Sequence, residues 1–149
     1  MTQASHVDAL GQKAARLRRC VARAREEKQR SEDFAADFSR QDAAILNIQR
    51  ACDLAIDMGN MLVSHESYGL PRGAKEVFVL LQERSVIVRD LSQDLQSMVG
   101  FRNLSVHQYE NLDMDIVEKI IADKLDALLQ FAGLVLARAQ SKLHTPPES

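Results

Sequence analysis

An arginine and a histidine in the second half of the sequence are of the types that could together cut RNA, and a tyrosine follows them closely. Arg102, His107 and Tyr109 are separated by four residues and then by one residue. Histidine accepts or donates a proton near neutral pH because its ordinary pKa is about 6.5. Arginine stays protonated and presents a planar fork of N–H donors that matches phosphate oxygens. The segment therefore suits metal-free attack by a ribose 2′-hydroxyl on the adjacent phosphorus.

The spacing of this segment restricts where it can lie. Five residues along an ideal helix turn by about 140°, so Arg102 and His107 would not share one face. We expect the segment at a helix end, or else the long Arg102 side chain must reach around the helix. An end near His107 is plausible because Asn111 and Asp113 are typical of a turn and an N-cap. One His107 per chain leaves either the base or the acid unassigned, and a two-fold dimer would supply a second copy.

The elements around the segment are predicted to be helical. Apolar residues recur at steps of three and four, and no alternating strand pattern or internal repeat is present. The predicted helices run from about Val7 to Arg30, from an N-cap at Ser39 to His65, from Ala74 to Glu83, from about Val88 past an interruption at Gly100, and from about Asp113 onwards. This predicts an all-α, up-down bundle of four long helices and one short helix. Residues 1–143 form one domain, and residues 144–149 are expected to be a disordered tail.

Composition narrows the class of protein further. The 149 residues carry 19 basic and 21 acidic side chains, for a net charge of −2. Non-specific coating of nucleic acid is therefore disfavoured, and any RNA contact must come from a local patch. Cys20 and Cys52 lie within helical patterns and are expected to be reduced thiols. No apolar leader follows Met1, and stretches such as Phe131–Ala137 are too short to span a bilayer, so we expect a cytoplasmic protein without membrane contact.

For each of the other candidate groups, a role without chemical function is the alternative interpretation. The basic cluster of the first helix could guide RNA or an acidic partner, but a solvated face is favoured; it comprises Lys13, Arg16, Arg18, Arg19, Arg23 and Arg25. Glu66 and Tyr68 either line the cleft or are simply exposed in a loop. His6, His65 and His144 share no ligand spacing, so no metal site is expected.

The motif and its flanks resemble one known family. The run Gly100–Tyr109 is similar to the signature of HepT toxins, a branch of the HEPN superfamily. The run Asn47–Asp57 resembles the second helix of that family, and Gly69-Leu70-Pro71 followed by Glu76-Val77-Phe78 resembles its loop and short helix. The resemblance covers roughly residues 40–125, and the N-terminal helix fits by position and pattern.

This resemblance implies a specific function. HepT-like proteins are helical homodimers that act as metal-independent endoribonucleases, without a cofactor, on cellular tRNA or mRNA. They are the toxins of type VII-like HEPN/MNT toxin–antitoxin systems, and an MNT-type nucleotidyltransferase antitoxin transfers AMP from ATP to the motif tyrosine. Carried over, Arg102 and His107 are catalytic, Asn103 is supporting, and Tyr109 is the modified residue. Bulky, negatively charged AMP near Arg102 would then occupy the phosphate site.

Two other functions remain open on the residues. One is a non-catalytic HEPN module that binds a nucleotide or RNA, or serves as partner to a nucleotidyltransferase, with Arg102 gripping phosphate and His107 moving no proton. The other is a helical scaffold that dimerises and has lost its activity. An RNA cleavage assay separates both from the ribonuclease.

Overall fold

A computed structural model describes residues 2–143, and all regular structure within them is helical. The helices are α1 (Gln3–Arg30), α2 (Phe38–His65), α3 (Ala74–Glu83), α4 (Arg89–His107), α5 (Met114–Lys119) and α6 (Leu125–Leu143). A π-helical turn, Ile120–Lys124, joins α5 to α6 into one long helical stretch, and short 3-10 turns occupy Phe34–Ala36 and Tyr109–Asn111. The predicted all-α fold with long helices and the short α3 is confirmed. The predicted tail, residues 144–149, lies outside the described residues.

Helix α2 is the centre of the bundle and packs against α1, α3, α4 and α6. Its antiparallel pairing with α1 is fixed along the whole length: Gln3 lies beside His65, and Glu27 lies beside Arg40. The apolar positions predicted for α1 from Leu10 onwards are the buried ones, namely Leu10, Ala14, Leu17, Val21 and Ala24. Burying such a stripe is what stabilises a helix of this kind.

Two helix starts differ from the predicted ones. Helix α1 begins at Gln3 rather than near Val7, because Thr2 accepts a hydrogen bond from the Ser5 backbone N–H at 3.0 Å. Helix α2 is capped by Asp37 and not by Ser39: the Asp37 carboxylate accepts from the Arg40 N–H at 3.1 Å. The two candidate caps lie close together in sequence, and a carboxylate at the positive helix N-terminus is favoured.

Glycines have different roles in α2 and α4. At Gly59 of α2 an added Cβ would lie 2.5 Å from Val77 Cγ1 and 3.4 Å from Phe131 Cζ, so glycine permits the close approach of α3 and α6. The pattern predicted an interruption of α4 at Gly100. This prediction is wrong, because the helix continues through Gly100 to His107. The Lys75 ammonium lies 3.7 Å from the position of a Cβ there, so α3 covers this side of α4.

Candidate active site

Arg102 lies on α4 and is held from two sides. Its Nε donates to Asp53 Oδ1 on α2 at 2.7 Å, and Nη1 donates to Asn103 Oδ1 at 2.9 Å. The Arg102 and Asp53 side chains remain 32% and 49% exposed, so this ion pair contributes little to stability. Its main effect is orientation, since a guanidinium has five N–H donors and these contacts use two. The remaining donors are available to an oxyanion.

A second set of contacts locks the backbone of this segment against α2. Ser105 is buried; its hydroxyl donates to the Arg102 carbonyl at 2.8 Å and accepts from Gln49 Nε2 at 2.9 Å. A satisfied buried hydroxyl of this kind fixes a single geometry, because breaking the network would leave polar groups unpaired. The position of Arg102 is therefore set by α2 through both its side chain and its backbone.

His107 is the last residue of α4, so the expected helix end near His107 is confirmed, but Arg102 and His107 both lie within the helix, about 140° apart around its axis. Gln108 follows with φ −138° and ψ 45°, outside the helical region, and its N–H closes the helix on Leu104. The His107 imidazole is exposed, and no hydrogen bond between described residues joins it to Arg102. Within one chain the two residues occupy neighbouring turns of one helix without touching through polar atoms. His107 is therefore accessible to a substrate or to a second copy of this chain.

Tyr109 lies in the 3-10 turn after α4 and faces α2. Its hydroxyl donates a hydrogen bond to Asp42 Oδ1. Burial, then the hydrogen bond and the charge of Asp42, raise the pKa of the Tyr109 hydroxyl to about 12. The ring is 40% exposed, beside an open hollow of about 330 Å³ lined by Asp42, Ile45, Leu46, Gln49 and Tyr109. The Tyr109 hydroxyl is therefore anchored yet reachable from solvent.

Sequence reasoning missed the α2 side of the site. Asp42, Gln49 and Asp53 contact Tyr109, Ser105 and Arg102 respectively. A signal was present, because positions separated by seven and then by four residues share one face of a helix. The role of these three polar residues of α2 can be recognised only once α4 is known to pack beside them.

The other candidate groups have structural roles. Glu66 forms an ion pair with Lys142, and the Tyr68 hydroxyl accepts from Arg138 Nη2 at 2.7 Å. Glu66 follows Asp53 by 13 residues at the end of α2, a distance of roughly 20 Å along a helix. Both side chains are therefore engaged with α6 and do not belong to the Arg102 site.

The described histidines and cysteines outside the motif also have structural roles, whereas His144 lies outside the described residues. His6 and His65 stack with ring centroids 3.9 Å apart, and burial, with the neighbouring His65, lowers the pKa of His6. Cys20 and Cys52 are free thiols, and burial raises the pKa of Cys52 to about 12. In residues 2–143, no group of three or more histidine, cysteine or acidic side chains could hold a metal ion.

The basic cluster on α1 is in part neutralised. Lys13 approaches Asp57 at 3.5 Å, and Arg25 donates to Asp126 at 2.7 Å. The remaining arginines of the cluster are exposed, as a solvated helix face requires. Among the described helices, none is both long enough and apolar enough to cross a membrane.

Comparison with known proteins identifies the family. The family described as "Ribonuclease HepT-like" matches residues 12–135, which include α2, the Arg102 segment and most of α6. The chain belongs to this family. This HepT-like chain is also 35% identical over 130 residues to the mRNA nuclease HepT of Shewanella oneidensis, covering 87% of this chain and 98% of that protein.

Solved structures agree with this assignment. The HepT-like chain is similar to the tri-AMPylated HEPN toxin of Shewanella oneidensis in complex with MNT antitoxin, with a TM-score of 0.83, 35% identity, and coverage of 87% of this chain and 98% of that one. It is also similar to a toxin–antitoxin structure with AMP-PNP, with a TM-score of 0.83, 34% identity and the same coverage. The predicted family, fold and ribonuclease class of the HepT-like chain are confirmed.

Proposed function

We propose that this protein is the endoribonuclease toxin of a type VII-like HEPN/MNT toxin–antitoxin system. It cleaves cellular RNA, of which mRNA is the class suggested by the name of its Shewanella relative. The observation that carries the assignment is the Arg102 guanidinium, which Asp53 and Asn103 orient while leaving N–H donors for a phosphate, five residues before an exposed His107 on the same helix. In this proposal it acts in the cytoplasm, where cellular RNA and the ATP used by an MNT-type antitoxin are found.

The proposed chemistry divides the work between two residues. A histidine removes the proton from a ribose 2′-hydroxyl, and that oxygen attacks the adjacent phosphorus. The bond to the 5′-oxygen breaks, an acid protonates that oxygen, and a 2′,3′-cyclic phosphate remains. Arg102 binds the non-bridging oxygens and stabilises the charge that develops on them in the transition state. Asn103 supports this by accepting a hydrogen bond from Arg102 Nη1 at one edge of the guanidinium, and no step requires a metal ion.

A homodimer completes the site in this proposal. One His107 cannot be base and acid for the same cut at the same time, whereas two copies related by a two-fold axis can divide these roles. Apolar side chains near His107 are exposed in the single chain, among them Val106 (53%), Ile116 (48%) and Leu104 (36%). Exposed apolar groups gathered beside a polar site are typical of an interface. They support a second copy docked along the end of α4.

AMP transfer to Tyr109 is the proposed means of neutralisation. A relative with 35% identity was solved AMPylated and in complex with MNT antitoxin. In this chain Tyr109 lies just beyond the end of α4, with its hydroxyl reachable from solvent. An AMP group there adds bulk and negative charge close to the site where Arg102 and His107 meet RNA. Repulsion between this group and the RNA phosphates would exclude the substrate.

The modification is tested with Tyr109→Phe. We expect wild-type toxin, incubated with its antitoxin and MgATP, to gain mass in AMP-sized steps and to lose RNA cleavage after repurification. Tyr109→Phe should gain no AMP and should remain toxic in cells that express the antitoxin. Intact mass spectrometry and growth curves measure the two effects. An AMP increment that survives Tyr109→Phe would show that the modification lies elsewhere.

A further inference from the structure

Among the described residues, the Asp42 carboxylate makes one side-chain hydrogen bond, and its partner is the Tyr109 hydroxyl. Asp42 lies on the second turn of α2, and its Oδ1 accepts the phenolic O–H. No lysine or arginine of the described residues forms an ion pair with it. The carboxylate is exposed. A carboxylate oxygen that can accept a proton therefore forms a hydrogen bond with the hydroxyl whose proton AMP transfer must remove.

The transfer needs such a group because the hydroxyl is a weak nucleophile. With a pKa of about 12, only on the order of one Tyr109 in 10⁵ is a phenolate at pH 7. Waiting for that fraction would slow any attack on phosphorus. A base positioned on the hydroxyl removes the proton as the new bond forms, and this typically accelerates a reaction by about 10²–10⁴-fold.

We propose that Asp42 is the general base for AMP transfer to Tyr109, so that the toxin supplies a catalytic residue for its own inactivation. The Tyr109 oxygen forms a bond to the α-phosphorus of ATP bound by the antitoxin, and the bond between that phosphorus and the α,β-bridging oxygen breaks. Pyrophosphate leaves with the electron pair of the broken bond. The phenolic proton passes to Asp42, which then releases it to solvent. This inference rests on the proposed modification of Tyr109.

The surroundings of the hydroxyl leave Asp42 as the group in place. The other residues that line the hollow beside Tyr109 are Ile45, Leu46 and Gln49, and none of them titrates. Glu110 is the next residue in the same turn, but it makes no hydrogen bond to the Tyr109 hydroxyl. Glu110 therefore offers a matched control, since its carboxylate is adjacent to Tyr109 in sequence but does not contact the hydroxyl.

The experiment compares rates of AMP incorporation by intact mass spectrometry. Full-length toxin variants are mixed with the wild-type nucleotidyltransferase of the same toxin–antitoxin pair and MgATP. Asp42→Asn keeps an oxygen that accepts the Tyr109 hydrogen bond but cannot take the proton, so we expect a rate about 100-fold below wild type. Glu110→Gln should stay within about twofold of wild type. Circular dichroism and gel filtration with the antitoxin verify folding and binding of each variant.

A pH series separates a base from a structural contact. Carboxyl groups ordinarily have a pKa of about 4, so a carboxylate base should accelerate the reaction equally at pH 7 and at pH 9. Asp42→Asn depends on spontaneous phenolate, whose fraction rises about tenfold per pH unit below its pKa. The ratio of wild-type to Asp42→Asn rates should therefore fall about tenfold per pH unit. Because the same antitoxin is present in both reactions, its own pH dependence cancels in this ratio.

The outcomes distinguish this inference from the proposed function. If wild type gains AMP, Tyr109→Phe does not, and Asp42→Asn reacts at the wild-type rate, the base comes from the antitoxin and the inference is overturned. A slow Asp42→Asn whose deficit is the same at every pH also overturns it, because the contact is then structural. If wild type gains no AMP, both the modification and its base are refuted.

Discussion

RNA cleavage should fall by about a thousandfold in His107→Ala, because general acid–base catalysis typically contributes 10²–10⁴-fold. The substitution removes the imidazole from both subunits of the proposed dimer, so neither the base nor the acid remains. His107 is exposed and ends its helix, and its loss should leave the bundle intact. Initial rates on total bacterial RNA measure the effect.

Gln108→Ala is the matched control for that measurement. Gln108 is the neighbouring exposed residue and directly follows α4. We expect its cleavage rate to stay within about threefold of wild type. If His107→Ala, with its dimer and circular dichroism spectrum unchanged, cut RNA in the wild-type pattern at the wild-type rate, His107 would not be catalytic. The non-catalytic HEPN module would then be the better hypothesis.

Arg102→Ala should lower cleavage by about 10²–10³-fold, the loss expected when a donor to a developing oxyanion is removed. Arg102→Lys should recover little of the lost cleavage rate. A lysine ammonium cannot donate to Asp53 as Arg102 Nε does and at the same time present a planar pair of donors to phosphate. Asp53→Ala should give a smaller loss of about tenfold, because it frees the guanidinium from its orientation without removing it. Single-turnover rates on the same RNA give this ranking.

Arg18→Ala serves as the charge-matched control. Arg18 belongs to the basic cluster of α1 and is exposed, and a solvated face predicts a change of less than about twofold. A loss as large as that of Arg102→Ala would instead make α1 part of the RNA-binding surface. If Asp53→Ala cleaved faster than wild type, the ion pair would be a restraint that competes with phosphate rather than a positioning contact.

The bundle could be predicted because the spacing of apolar residues along the sequence determines which face of each helix is buried. The stripe on α1 and the short α3, Ala74–Glu83, both agree with the structure. The start of α2 could not be decided locally, since Asp37 and Ser39 are both capable caps and only the packed chain selects Asp37. The continuous path of α4 through Gly100 was likewise hidden, because packing overrides the low helix propensity of glycine.

Half of the candidate site could be recognised from sequence. Arg102, His107 and Tyr109 are close in sequence, so their spacing alone drew attention to them. Asp53 and Asp42 are 49 and 67 residues from their partners, and no local pattern states that α2 and α4 lie side by side. Such long-range pairing is a property of the packed bundle. This pairing lets Asp53 orient the Arg102 side chain and lets Asp42 accept the hydrogen bond of the Tyr109 hydroxyl.

The most direct test of the ribonuclease is the chemistry of the ends it leaves. Purified protein is incubated with total bacterial RNA in EDTA, and new ends are mapped by ligation methods specific for 5′-hydroxyl and for 5′-phosphate termini. Attack by the 2′-hydroxyl predicts 5′-hydroxyl and 2′,3′-cyclic phosphate ends that are undiminished by EDTA and absent with His107→Ala. Ends bearing 5′-phosphate and 3′-hydroxyl groups, or cleavage that stops when metal is chelated, would contradict the mechanism assigned to Arg102 and His107.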